Sequence, residues 1–381
     1  MKQDNIMASL LVISLFSVVF IFCSPNQVSS EIYHIKANST STDYCIAPCL
    51  TLSDLLFADY SQYSNTTLVF LPGIHYLIFS MSVSRAKVFS MTSKSIIAQV
   101  VCRRSSSIHF DYSQYVSISN LEFIGCGGNQ IKQVKEFVVK DTRFNGQNTS
   151  GTALEIIKTA TWIVNSTFKF NRKGYNVWRN SLSSHAGGAI IATDCEININ
   201  HSKFINNQAK YGGAIFAQNH SIIVIHDSIF INNSAGDGVP FSWSSTIKSI
   251  LYSLESTITI KLSKFDHNIA TSRMGRDGVV YALRSTISIE ASEFDCNTVN
   301  STGGGSVGGV LYSSGSNITI NVSKFNNNSV TSTSEGGVLY FSLEGNNITI
   351  ETTTFKGNTC RIQLYLVAKA KDNLKPAKLL T

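Results

Sequence analysis

An all-β solenoid, a right-handed parallel β-helix with a short N-terminal capping helix, is the fold class that this 381-residue sequence predicts, on three observations. Phenylalanine recurs at Phe123, Phe144, Phe168, Phe204, Phe230, Phe265, Phe294, Phe325 and Phe355, at intervals of 21 to 36 residues, the period of a stacked array. The positions seven and five residues before each phenylalanine are almost all apolar, as in Ile223 and Ile225 or Ile318 and Ile320, which is the alternation of a strand with one buried face. Glycine pairs open further apolar runs such as "GGAIIA" and "GGVLYS", with a phenylalanine 16 to 18 residues after the second glycine.

The elements follow in chain order. Residues 1–30 read as a signal peptide: Lys2, the apolar run from Met7 to Cys23, then Val28 and Ser30 at small-residue positions before a cut. That predicts a secreted or extracellular-surface protein with no membrane span after cleavage. Residues 31–64 form a cap region, in which Leu52 to Asp59 is expected as the short amphipathic helix. A cap is needed because an open end would expose an unpaired edge and an apolar interior.

Residues 65–367 carry the repeats, about eleven coils and roughly 50 Å of stacked height at the inter-strand spacing. A small hydroxyl residue lies two positions before most of the phenylalanines, from Ser166 to Ser323. It breaks the alternation, so the chain must bend there and each coil is two or three short strands. Three residues after seven of the phenylalanines stands asparagine: Asn171, Asn207, Asn233, Asn268, Asn297, Asn328 and Asn358. Asparagine tolerates a left-handed corner, and stacked amides bond one another. The Phe and Asn columns are therefore expected to be structural ladders. Spacing from Asn to the glycines varies, so loops should leave the coil at that corner. Residues 368–381 are a basic tail without a recognisable cap, which either folds over the end or leads into further repeats.

The net charge of +7 includes +4 after Cys360, from Arg361, Lys369, Lys371, Lys375 and Lys378 against Asp372. No Lys/Arg cluster with interleaved aromatics follows, so no nucleic-acid partner is expected. Secretion agrees with glycosylation triplets at Asn38, Asn65, Asn148, Asn165, Asn200, Asn219, Asn232, Asn300, Asn317, Asn321, Asn327 and Asn347. It also favours disulfides, with Cys45–Cys49 and Cys102–Cys126 the expected pairs. No cysteine/histidine set has zinc spacing, so neither a metal nor a cofactor is expected.

The combination of "FINN" at 204–207 with "GGAI" at 212–215 resembles the repeats of chlamydial polymorphic outer-membrane proteins, within the pectin-lyase-like superfamily of right-handed parallel β-helices, over roughly residues 65 to 360. The resemblance implies a surface-displayed stalk or adhesin. The chain lacks the ten-residue alternating strands of a membrane barrel, and its signal and glycosylation triplets suit a eukaryotic ectodomain. Many enzymes of that superfamily cleave acidic polysaccharides with carboxylates on neighbouring coils.

The corresponding column here is Asp266 and Asp295, each one residue after a phenylalanine, the candidate acid/base pair. The same column carries Ile205, Ile231, Asn326 and Lys356 elsewhere, which suits a solvent-facing position better. His226 beside Asp227, and His185, have no partner at supporting spacing. Binding residues are sought instead in the two longest insertions, at Tyr175, Trp178, Phe241 and Trp243, since loop aromatics make contact anchors. The expected role is a non-catalytic structural or adhesive module whose partner is an extracellular protein or glycan; the alternative is a carbohydrate-active enzyme or glycan-binding protein on the same scaffold.

Overall fold

The computed structural model describes residues 31–37, 49–52, 65–94, 97–103, 106–147, 151–173, 185–236, 247–272, 275–301, 307–332, 335–342, 345–360 and 362–366. The chain is a right-handed parallel β-helix: its strands pair in parallel, and those inside the stack pair with their equivalents one coil below and one coil above. Among the described residues, sheet A has 13 strands, sheets B and C have 11 each, and a short sheet D has five. One coil shows the path: Lys248–Leu254 in sheet C, Thr257–Lys261 in A, Lys264–Asp266 in B and Ile269–Ser272 in D, before the next C strand, Arg276–Leu283. No helix among the described residues is long and apolar enough to cross a membrane.

Register is kept residue by residue. All nine phenylalanines pair in sequence across sheet B. Their rings stack almost parallel, from 4.5 Å between centroids at Phe204–Phe230 to 5.2 Å at Phe123–Phe144. Such contacts each add about 1 kcal/mol beyond area burial. The isoleucine columns of sheet A, such as Ile258 and Ile260, face the same interior, and one continuous apolar core runs from Ile35 to Phe355.

The asparagine column is buried and doubly bonded. Asn268 donates through Nδ2 to the Phe230 carbonyl and to Oδ1 of Asn297, and its backbone N–H donates to that same Oδ1, all at 2.9–3.0 Å. The pattern repeats from Asn171 to Asn358. These asparagines do not themselves take the left-handed conformation expected of them. The preceding residue does: Phe170, Asn206, Asn232, His267, Cys296 and Asn327 have φ of 51–55°. The division of labour is physical, because an amide needed inside the shaft cannot also be the exposed residue that reverses the chain.

The same device explains the break in alternation. The residue three before each phenylalanine, from Asn120 to Thr352, has φ of 44–54°. In all but the first of these coils a hydroxyl residue follows it and turns inward, as where Ser263 Oγ accepts from the Ser228 N–H and donates to the Lys261 carbonyl. A third corner, between sheets C and A, repeats the arrangement with Ser256, Ser285 and Ser316. Each coil thus turns on left-handed residues followed by buried polar rungs.

The variable corner is more ordered than a loop. Sheet D occupies its start in five coils, from Gln208–Ala209 to Ser329–Ser332, so these coils have four strands where two or three were expected. The first glycine of a pair is left-handed at Gly187 and Gly212, with φ of 65° and 60°. In the later coils the pair lies within a strand, and a Cβ on Gly309 would sit 2.8 Å from the Leu311 carbonyl oxygen. Lys248-Ser249 aligns with Asp277-Gly278, Gly308-Gly309 and Gly336 of successive coils.

At the N-terminal end, Glu31–Ile35 pairs with both Cys49–Leu50 and Asn65–Phe70, extending sheet A beyond the first repeat strand. Leu52 is buried; the rest of the expected capping helix lies outside the described residues, as do residues 1–30 and the basic tail.

Candidate functional site

The outer face of sheet B changes chemistry from coil to coil, and it concentrates reactive groups at one level. Lys264, Phe265 and Asp266 pair in register with Glu293, Phe294 and Asp295. The phenylalanines point inward, so alternation sends their flanking charged residues outward. The left-handed corner that follows carries His267 beside Asp266 in one coil and Cys296 beside Asp295 in the next.

Lys264 Nζ lies 3.5 Å from Asp266 and 4.0 Å from Asp295, compensating both carboxylates. His267 Nδ1 is 2.6 Å from Asp266 Oδ1. Cys296 Sγ donates to Asp295 Oδ1 at 3.5 Å, and Asn327 Nδ2 donates to that oxygen at 3.2 Å. Partial burial, then the neighbouring Asp295 and Asp266 carboxylates, push the Cys296 thiol above its ordinary value, while Lys264 opposes them. Asp266, His267 and Cys296 each offer one ligand atom, and these atoms lie within 4.8 Å of one another.

The two aspartates singled out in the sequence are therefore together, one coil apart, but each is already engaged by Lys264. The sequence reading missed His267 and Cys296. Their column carries Asn206, Asn232 and Asn327 in other coils, so no repeated word marks it. The available signal was the register itself, which puts any two residues of one column a coil apart. His226 and Asp227 do not form a pair with each other: Asp227 is 3.1 Å from His201 Nε2, and His226 Nδ1 is 3.2 Å from Asn200 Oδ1. His185 is buried.

A second feature was also missed. Tyr252, Tyr281, Tyr312 and Tyr340 stack at 4.9–5.1 Å on the outer side of sheet C, continuing from Phe216. They form a separate buried cluster with Ala186, Ile191 and Tyr211. The sequence signal is a bulky residue three positions after the second glycine, Ile191, Phe216, Tyr312 and Tyr340. Burial pushes the Tyr252 phenol up to about 12 and raises Tyr281 and Tyr312 as well.

Tyr175, Trp178, Phe241 and Trp243 lie outside the described residues, as do Asn38, Asn148 and Cys45. Cys102 and Cys126 form a disulfide with Cα atoms 5.0 Å apart. Cys195 is buried in the hydroxyl column of the third corner, where burial pushes its thiol up to about 11. It borders a shallow groove of 420 Å³ that also contains Lys158, Asp194 and Glu196. Among the glycosylation triplets, Asn165, Asn219, Asn232, Asn317, Asn327 and Asn347 are exposed, while Asn65, Asn200, Asn300 and Asn321 are half-buried. The hydroxyls of Ser202, Ser221 and Ser323 are rungs of the buried ladders, so in those triplets the serine has a structural role of its own.

No family model and no curated protein matches the sequence. Among solved structures, ORF18 of Geobacillus virus E2 is similar over 76% of this chain, with 10% identity and a TM-score of 0.42; the chain spans 54% of that protein's length. The A-module of Azotobacter vinelandii mannuronan C-5 epimerase AlgE6 is similar over 92% of this chain and 89% of its own, with 10% identity and a TM-score of 0.37. Pectate lyase Pel9A is similar over 84% of this chain and 80% of its own, with 11% identity and a TM-score of 0.31.

Proposed function

We propose that this chain is a secreted or cell-surface scaffold, a non-catalytic structural or adhesive module that displays side chains and loops on a rigid shaft to an extracellular protein or glycan. The observation that carries the reading is the contrast between inward and outward columns. Phe265, Phe294 and Phe325 repeat without change, whereas the next position outward reads Ile205, Ile231, Asp266, Asp295, Asn326 and Lys356. A shape held constant beneath a varied surface suits recognition by loops and faces. The resemblance of the repeats to surface-displayed bacterial proteins, the apolar leader and the exposed glycosylation triplets support an extracellular setting.

The test is a glycan-array and polysaccharide-cleavage screen on purified protein. Binding without product, lost in Trp178→Ala or Trp243→Ala, is the expected result. Polysaccharide cleavage that disappears in Asp266→Asn or Asp295→Asn would overturn it in favour of an enzyme.

A further inference from the structure

We propose that Asp266, His267 and Cys296 form a binding site for a zinc-class divalent metal ion, which clips two adjacent coils together on the outer face of sheet B. The three ligand atoms lie within 4.8 Å of one another on exposed or half-buried side chains. One carboxylate oxygen, one imidazole nitrogen and one sulfur make a mixed donor set. Zinc accepts all three at bond lengths of about 2.0–2.3 Å, so side-chain rotation of roughly an ångström closes the set around one ion. Calcium and magnesium, which prefer oxygen ligands, are disfavoured by the imidazole and the sulfur.

The backbone supplies the geometry. Asp266 and His267 belong to one coil and Cys296 to the next, and the pairing of Asp266 with Asp295 fixes their offset. His267 and Cys296 occupy the same left-handed corner in successive coils, with φ of 52° and 51°. Asp295, 3.5 Å from the Cys296 sulfur through Oδ1, is placed to complete the coordination or to orient a bound water. On binding, the Cys296 thiol loses its proton to solvent and the sulfur lone pair forms the metal bond; no redox step is involved.

Lys264 is the competitor. Its ammonium lies within 4.0 Å of both carboxylates, occupying part of the field that an incoming cation would use. The site therefore predicts an unusual asymmetry: removing a ligand weakens binding, and removing the lysine charge strengthens it.

The experiment is isothermal titration calorimetry of the full chain, without a histidine tag, with zinc chloride, and separately with calcium chloride. One zinc site is expected, with affinity reduced at least tenfold by Cys296→Ser and by His267→Ala and increased severalfold by Lys264→Gln. Cobalt(II) loading should give a thiolate-to-cobalt charge-transfer band that Cys296→Ser abolishes. The three substituted side chains are exposed or half-buried, and circular dichroism of each variant checks that it folds. Absence of zinc binding, zinc binding unchanged in both Cys296→Ser and His267→Ala, or equal affinity for calcium would overturn the proposal. None of these outcomes bears on the scaffold reading, whose test is ligand binding by the loops.

Discussion

A single asparagine shows how much of this fold rests on one side chain. Asn268 accepts from the N–H and the amide of Asn233, and donates to Phe230 and Asn297. Replacing it with alanine strands two donors and one carbonyl in a dry interior, where each unmet group costs about 1–3 kcal/mol. Asn268→Ala should therefore lower unfolding stability by about 3 kcal/mol or more, read from the denaturant midpoint; a shift below about 0.5 kcal/mol would refute the ladder as a source of stability. The importance of this column was legible in the sequence because its chemistry repeats, but its conformation was not. Left-handed φ belongs to the variable residue before it, and residues as different as Phe170, His267 and Cys296 share that turn. Nothing in their chemical identity announces the backbone that they adopt.

At the scale of the element, sheet C carries aromatic stacking on its outer side while sheet B carries it on the inner. The inner stack could be read from phenylalanine periodicity. The outer stack was hidden because strand alternation assigns that face to solvent, and because its residue type drifts from Ile191 through Phe216 to the tyrosines. An alkaline titration separates the two descriptions. A phenol raised by burial stabilises the fold fully below its unfolded value near 10; that contribution is lost as pH rises through the folded value, about 12 for Tyr252. Phenolate absorbance from Tyr252, Tyr281 and Tyr312 should accordingly emerge only together with loss of the β-sheet circular dichroism signal. Complete ionisation near pH 10 in a protein with intact sheet signal would show these rings to be accessible.

For the molecule as a whole, contacts run between neighbouring coils, so a perturbation should stay near its origin. The Cys102–Cys126 bond closes a segment with a sequence separation of 24 residues, a loop for which closure entropy contributes about 3 kcal/mol. Reducing it should speed amide exchange in the coils between Leu77 and Ile131 and leave those around Ile318 to Phe355 unchanged. Uniform acceleration along the whole chain would instead indicate a single cooperative unit.

The top of each coil presents the donors and acceptors that match its own underside, ring above ring and amide above amide, while most of the length differences fall in the stretch between the asparagine and the glycines. A gene segment encoding one complete turn could be duplicated or deleted in such a protein and still join its new neighbours without mismatch. The height of the shaft is in that sense a quantity heredity is free to set, much as chain length is in a polymer.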